Sequence, residues 1–318
     1  MIKKIFITGG AGFISSHLIE SLAGKFEIVV YDNLQRNALK YLPFANNPGV
    51  TLIEGDVLDL PSMREAMKGA DVCVHAAAIA GIYSVGKSAS QTMKVNFFGT
   101  FNALEAAVQT GVRRFVDFST SEVYGPFVYR GKETDTTTQG PVGEKRWIYA
   151  VSKLAGEHYA QAYGEEHGLE VNSVRPFNIY GPRQMGEGAI QQMVCRALNG
   201  EEITVYNDGT QIRSWCYVSD FVSALQEMIF REDIRGQVFN VGNPQATVTV
   251  LGLAEHILQM TESKSRIVFR PHPGPEVEMR VPDIGKARDL LSFDPKVGLM
   301  EGLEQSIAWF KENMNGAA

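Results

Sequence analysis

Cysteine is scarce in this 318-residue chain. Its three residues, Cys73, Cys195 and Cys216, stand far apart and form no CxxC pair. That excludes a disulfide framework and a cysteine-rich zinc site, and the odd, unpatterned count points to reduced thiols in a cytoplasmic protein, buried as small apolar residues. The six histidines show no ligand spacing, so no metal is expected. Positive charge is not in excess either: Lys and Arg number 30 against 36 Asp and Glu, a net charge of −6. That argues against nucleic acid or an anionic membrane as the main partner. No apolar run has the length needed to cross a bilayer. The opening MIKKIFITGG carries two lysines before an apolar stretch too short for a signal peptide. Internal repeats and low-complexity segments are absent too. With 44% hydrophobic residues the chain can bury a core, and its length suits one large or two modest domains.

Short apolar runs then alternate with helical patterns. KIFIT (4–8) reads as a buried strand entering a glycine turn, followed by a helix from Phe13 to Leu22. EIVVY (27–31), VTLIE (50–54), DVCVHA (71–76) and RRFVDFS (113–119) are further strands, with helical stretches between them such as Met63 to Lys68 and a long one from Ala89 to Gln109. Strands alternating with helices imply a parallel sheet with crossover helices, and nearly continuous apolar runs imply burial on both faces. Residues 1–176 therefore read as a doubly wound α/β sheet. Residues 177–318 read as a smaller α/β lobe, with short strands at 203–206 and 237–242, helices near 219–230, 250–260 and 300–312, and a long loop marked by Pro271, Pro273, Gly274 and Pro275. A segment within 213–241 is expected to return to the main sheet. The long helix is apolar all round, with Met93, Val95, Phe97, Phe98, Phe101 and Leu104. Such a helix is buried on more than one side, either inside the core or also against a second subunit.

The first chemical signal is TGGAGFI (8–14). Gly9, Gly12 and Ser15 follow GxxGxxG spacing with serine in the last place, and the strand before and helix after are the setting this motif requires. Gly9 and Gly10 permit a tight turn. Gly12 lets the backbone approach a pyrophosphate at a helix N-terminus, where free N–H groups and the helix dipole favour an anion, and Phe13 and Ile14 open that helix. Ser15 adds only a small side chain where a glycine would serve helix–strand packing. Asp32 ends the second strand, where a carboxylate can accept from the adenosine ribose and would repel a 2′-phosphate. This favours NAD over NADP, with Arg36 nearby working against the preference. Asn33 follows it, Asp56 and Val57 end the third strand near an adenine site, and Ala76 and Ala78 in HAAA leave room for a flat cofactor at the fourth. Read singly, Asp32 or Asp56 is equally a turn residue or a cap. Together at strand ends they point to a dinucleotide.

The second signal is YAVSK, which sets Tyr149 and Lys153 four residues apart on one helix face. A tyrosine titrates near ~10 in water. A neighbouring ammonium and a cationic nicotinamide favour its phenolate, which can then take a proton from a sugar hydroxyl. Alone, the pair is equally a solvated Tyr–Lys pair on a surface helix. STSEVYG (119–125) follows the fifth strand, at the carboxyl edge where open α/β sheets bind ligands. Thr120 can hydrogen-bond the reacting oxygen, and Glu122 brings a carboxylate towards the same pocket.

TGGAGFI, Asp32, HAAA, Asn96 in NFFGT, STSEVYG, YAVSK and RPFNIYGPR (175–183) together resemble the extended short-chain dehydrogenase/reductase family of NAD-dependent nucleotide-sugar epimerases, dehydratases and decarboxylases. The resemblance spans nearly the whole chain. It implies a Rossmann sheet with a smaller substrate lobe, bound NAD, a nucleotide-sugar substrate (a UDP-sugar by preference) and a homodimer. By position it makes Thr120, Tyr149 and Lys153 the catalytic triad, with Lys153 and Asn96 also at the cofactor. Ser121, Asn178, Arg213 and Arg280 fall at the substrate. Three positions depart from the family pattern: Ser15 and Asn207 stand where glycine is usual, and Ala89 where proline is common.

Reactions of this family begin with a 4-keto sugar and then diverge. A C5 carboxylate, β to the ketone, is lost as carbon dioxide; a C5 hydroxymethyl loses water if acid and base flank it; otherwise the ketone turns and is reduced on its other face. Glu122 is expected to be catalytic and to discriminate among these reactions. Simple 4-epimerases usually lack an acid there, while the Thr-Ser-Glu pattern at 120–122 is that of UDP-glucuronate decarboxylases and also of GDP-mannose and some UDP-sugar 4,6-dehydratases. VEMRVPDI around Arg280 and RWIYAVSK (146–153) most resemble the decarboxylases. Decarboxylation is therefore expected first, 4,6-dehydration second and 4-epimerisation third. A sensor that binds a dinucleotide without catalysis is the reading from another class, and Tyr149, Lys153 and Thr120 together speak against it.

Overall fold

The computed structural model describes residues 2–43, 49–272 and 274–313; Pro273 of the 271–275 loop lies outside them. The strands are β1 (Lys4–Thr8), β2 (Glu27–Asp32), β3 (Val50–Glu54), β4 (Val72–His75), β5 (Arg114–Phe118), β6 (Phe127–Gly131), β7 (Glu170–Pro176), β8 (Ile179–Tyr180), β9 (Ile203–Tyr206), β10 (Ile212–Ser214), β11 (Cys216–Tyr217), β12 (Gln237–Val241), β13 (Thr247–Thr249), β14 (Ile267–Arg270) and β15 (Met279–Pro282). The helices are α1 (Phe13–Leu22), α2 (Leu60–Met67), α3 (Ile82–Lys87), α4 (Ala89–Met93), α5 (Gly99–Thr110), α6 (Ile148–His167), α7 (Ala189–Asn199), α8 (Val218–Phe230), α9 (Val250–Thr261), α10 (Gly285–Leu291) and α11 (Leu299–Asn313).

Seven parallel strands form one sheet in the order β12-β7-β5-β4-β1-β2-β3. Its central members are apolar on both faces because helices cover both. Ile5 and Ile7 of β1 pack with Leu18 and Leu22 of α1 and Phe221 and Leu225 of α8. Phe6 points the other way, towards Met63 and Met67 of α2, Leu104 of α5 and Tyr163 of α6. Edge strand β3 is half exposed. The strand order reverses between β1 and β4, and in open sheets the crevice beyond the carboxyl ends at such a reversal is where ligands bind. Of the 213–241 stretch, only Gln237–Val241 is hydrogen-bonded into this sheet.

The expected long helix over 89–109 is continuous but not uniform. A π-helical turn at Lys94–Phe98 separates α4 from α5. It turns Asn96 inward, fully buried, where its side chain bonds the Ile79 backbone and Ser152. Apolar periodicity did not show this turn, since Val95, Phe97 and Phe98 fit either geometry.

A second, four-stranded sheet in the order β13-β10-β15-β6 was not legible as such, because its strands are only three to five residues long and come from four distant parts of the chain. It brings Arg213 and Arg280 side by side in register on β10 and β15. Through β6 it ties both to the turn that follows β5. Two-stranded pairs β8–β11 and β9–β14 complete the sheets among the described residues.

Candidate functional site

The glycine turn after β1 is closed by its own backbone. Gly9 has φ +65°, and a Cβ there would meet the Ala77 backbone nitrogen at 2.6 Å, so only glycine fits between β1 and the end of β4. α1 starts at Gly12 with no side-chain cap, leaving its first N–H groups for an anion. Phe13 and Ile14, half buried, form its first turn, and Ser15 is buried behind them. Asp32 fixes the turn from the neighbouring strand: its carboxylate accepts from Ala11 N at 3.0 Å and Leu34 N at 2.7 Å. Burial raises its pKa, partly offset by those two bonds. A carboxylate accepts about four hydrogen bonds, so capacity for ribose hydroxyls remains.

The other positions expected at a cofactor line the same edge. Ala76 and Ala78 follow β4, Asn33 caps a turn by accepting from Gln35 N, and Val57 is buried against Gly99. Asp56 is exposed and accepts from Leu58 N. Asn96 spends both amide hydrogens on Ile79 O and Ser152, so it acts on this edge by fixing the loop after β4. Arg36 does not stay beside Asp32. Its guanidinium donates to Ala80 O, Ser84 and Glu187, and Glu187 in turn accepts from the backbone of Tyr83 and Ser84.

Thr120, Glu122 and Tyr149 meet beyond β5. Thr120 caps the short turn Ser121–Tyr124, its hydroxyl accepting from Glu122 N at 3.2 Å. Burial pushes the Tyr149 phenol up to about 12, while hydrogen bonding with Thr120 pulls it back. Lys153, one turn along α6, is 2% exposed. Burial lowers its pKa, and Asp117 and then Glu157 oppose that.

Glu122 is gripped by arginines. Arg280 Nη1 donates to its Oε1. Arg146 Nη2 donates to the same oxygen at 2.9 Å, with Nη1 2.5 Å from Oε2. Burial would raise the Glu122 carboxyl, but Arg280 and Arg146 outweigh it and hold it at about 2. Arg280 also donates to Gly125 O, and its Nε is buried without a partner. Arg213 lies alongside, bonded to Val277 O at 2.5 Å and 3.4 Å from Glu276. Burial, and next Arg280, lower it to about 10. Three guanidinium groups therefore face two carboxylates, leaving one positive charge unbalanced. Asn178 bonds Ser214 O, next to Arg213, and has φ +44°, a left-handed value that asparagine tolerates better than most residues. Ser121 is buried in the same turn.

Two residues were missed from the sequence. Arg146 lies three positions before Tyr149, a helical spacing that could have drawn attention to it. Asp117 sits inside an apolar strand, and nothing in its local sequence distinguishes it. Among the departures, Asn207 takes φ +52°, a conformation asparagine tolerates better than most residues, and its side chain accepts from His272 N. Cys73 and Cys216 are buried and Cys195 is only partly so; all three thiols are free. Among the described residues, no cluster of His, Cys, Asp and Glu could hold a metal, and no helix is long and apolar enough to cross a membrane.

A doubly wound sheet, a glycine turn at its order reversal and a Thr–Tyr–Lys set on the next crevice define a nucleotide-dependent enzyme. Residues 5–242 match the NAD dependent epimerase/dehydratase family, and the chain belongs to that family. The glycine cradle, the uncapped helix and Asp32 fit NAD, the cofactor of that family. The chain is 36% identical, over 99% of its length and all of the relative's, to a UDP-N-acetyl-alpha-D-glucosaminuronate decarboxylase of Bacillus cytotoxicus. It is also 36% identical to UDP-glucuronic acid decarboxylase 1 of Arabidopsis thaliana, over 98% of this chain and 70% of that one. Among solved structures it resembles the UDP-glucuronic acid 4-epimerase of Bacillus cereus in complex with UDP-glucuronic acid and NAD, with TM-score 0.88, 28% identity and coverage of 97% and 99% of the two chains.

Proposed function

We propose that this enzyme decarboxylates a UDP-hexuronate, with UDP-glucuronate and its 2-acetamido analogue as first candidates. The observation that carries the reading is the clamp of Arg146 and Arg280 on Glu122. A dehydratase needs a base for the C5 proton, and a carboxylate held at about 2 by two arginines is a poor one. The unbalanced positive charge of the cluster matches a C5 carboxylate, which guanidinium groups bind by forked hydrogen bonds.

Residues 1–176 form the cofactor domain and 177–318 the substrate lobe, except that β12 completes the main sheet. The glycine turn, the open end of α1 and Asp32 would hold NAD, which when bound would take up the hydride of C4 and give it back at the end of the reaction. Tyr149 takes the proton of the sugar 4-hydroxyl, and Thr120 hydrogen-bonds the same oxygen. Lys153 favours the phenolate through its ammonium charge. Once C4 is a ketone, the bond from C5 to the carboxylate breaks, carbon dioxide leaves, and the electron pair delocalises onto the C4 oxygen. Negative charge thus moves from the arginine side towards Tyr149 and Thr120. Donors aimed at the developing oxyanion stabilise that transition state more than the bound substrate. A proton then returns to C5, C4 is reduced again as Tyr149 gives its proton back to the C4 oxygen, and the product is a UDP-pentose with no net oxidation. Asn178, Ser121 and Arg213 hold the nucleotide and sugar.

The enzyme acts as a cytoplasmic homodimer in this reading. Supporting the dimer, Phe97 and Phe98 of the π turn and Phe101 of α5 form a ring cluster with Tyr159 and Tyr163 of α6, and Phe98 is 53% exposed. The test of function is mass spectrometry of products from UDP-glucuronate, UDP-N-acetylglucosaminuronate and UDP-glucose. Loss of carbon dioxide from a uronate supports the reading. Loss of water from the hexose, or an unchanged mass with altered retention, overturns it.

A further inference from the structure

A row of polar side chains crosses the buried face of the main sheet beneath the catalytic helix. Register pairs Thr8 with His75, His75 with Asp117, and Asp117 with Ser173 across β1, β4, β5 and β7. All four are almost completely buried. Three of them have clear partners. His75 Nδ1 meets the Thr8 hydroxyl at 2.7 Å and its Nε2 the Thr100 hydroxyl at 3.1 Å. Thr100 spends its own hydrogen on Asn96 O, so His75 donates from Nε2, and in a neutral ring Nδ1 then accepts from the Thr8 hydroxyl. The ring is neutral because burial, then Lys153 nearby, push its pKa down to about 3. Ser173 accepts from Gln161 of α6.

Asp117 is different. It is 1% exposed, and neither carboxylate oxygen has a hydrogen bond of full geometry, its neighbour Ser173 offering a weak one that lowers its pKa only slightly against burial. An unpaired buried carboxylate is costly unless a charge faces it. The charged groups around it are Lys153 and Glu157 of α6. Glu157 is already taken: Arg175 of β7 grips it at 3.0 and 2.6 Å. His75 is neutral. Among the described residues no carboxylate is in ion-pair contact with Lys153; it shares the buried face of α6 with Glu157, and with Glu157 taken by Arg175 the anion left facing it is Asp117, which acts across a gap and not by contact.

Building on the proposed roles of Tyr149 and Lys153, we propose that Asp117 is the counter-ion of Lys153 and, through that ammonium, a positioning residue for the ionisation of Tyr149. The carboxylate lies on the sheet side of α6 and keeps Lys153 charged where burial would strip its proton. Lys153 in turn favours the Tyr149 phenolate one helical turn away. Consistent with this pairing, Asp117 is the largest influence holding the Lys153 proton on, and Lys153 the largest charge opposing the burial that raises Asp117 to about 6.

The test titrates both groups without substrate. Lys153 is followed by NMR in NAD-loaded protein carrying 13C-labelled lysine, assigned with Lys153→Met. In Asp117→Asn its midpoint should fall by about one pH unit or more relative to wild type. Reciprocally, the Asp117 carboxyl carbon should titrate about one unit higher in Lys153→Met than in wild type. The second titration decides if Asp117→Asn fails to fold. Unchanged midpoints overturn the pairing. Neither titration uses a sugar, so an incorrect uronate assignment leaves both intact. With whichever substrate turns over, the alkaline limb of the kcat profile of Asp117→Asn should move to lower pH, which lost packing alone would not produce.

Discussion

The two walls of the crevice are built from different materials. On the β1–β4 side the contacts are backbone: Gly9 in a left-handed turn, the open N-terminus of α1, and Asp32 bonded to two main-chain amides. On the β5–β15 side they are long side chains carrying full charges, with Arg146, Arg213 and Arg280 set against Glu122 and Glu276. A backbone cradle offers fixed partial charges and tolerates no Cβ. An arginine cluster offers one net charge whose position depends on pairing between distant strands. Damage to the first wall should therefore show as lost cofactor, and damage to the second as lost turnover with the cofactor retained.

The largest expected effect lies where the walls meet. Tyr149→Phe should reduce kcat by about 10³-fold or more while NAD stays bound, as measured by turnover and by the nucleotide released on denaturation. Arg280→Gln should sharpen the contrast. It removes a donor to both Glu122 and Gly125 O, and should lower kcat/KM for a UDP-uronate by about 100-fold with NAD content unchanged. Gly9→Ala is the mirror experiment: the added Cβ collides with the Ala77 backbone at a positive φ, so NAD should be lost on purification.

Smaller effects follow from charge. The Glu122 carboxyl is held at about 2, below its ordinary 4.5. Its contribution, about 3 kcal/mol, is present above pH 4.5 and lost as pH falls through about 2. Asp117 behaves oppositely. Raised from 3.8 to about 6, it contributes stability that fades as pH rises between those values. Denaturant unfolding of wild type and Asp117→Asn across pH 4 to 7 should show the variant gaining relative stability as pH rises, and a flat difference would contradict the assignment. Least of all, Glu187→Gln frees Arg36 and should narrow the preference for NAD over NADP about fivefold in competition binding.

The same contrast explains what could be read in advance. The cradle was legible because its parts are contiguous: a strand, a glycine turn and a helix within residues 4–22, then Asp32 at the next strand end. Tyr149 and Lys153 were legible for the same reason, being one turn apart. Arg213 and Arg280 of the arginine wall were named through resemblance, but the grip on Glu122 depends on β15 pairing with β6 and β10, contacts that join positions about 70 to 150 residues apart and leave no local pattern. Arg146 was overlooked because its partner is a carboxylate 24 residues earlier. Asp117 was overlooked because an acid within RFVDF reads as a break in an apolar strand unless the lysine above it is known. The π turn that buries Asn96 was hidden because apolar residues surround it on all sides.

In the proposed reaction the arginine wall holds a substrate carboxylate that leaves. The most direct measurement is turnover of UDP-glucuronate and UDP-N-acetylglucosaminuronate carrying 13C in the carboxyl group, with label followed in the gas phase and in the sugar. The account predicts that one of them releases labelled carbon dioxide in step with formation of the pentose product, and that Arg280→Gln suppresses this release. Label retained in a uronate product while turnover proceeds would contradict it.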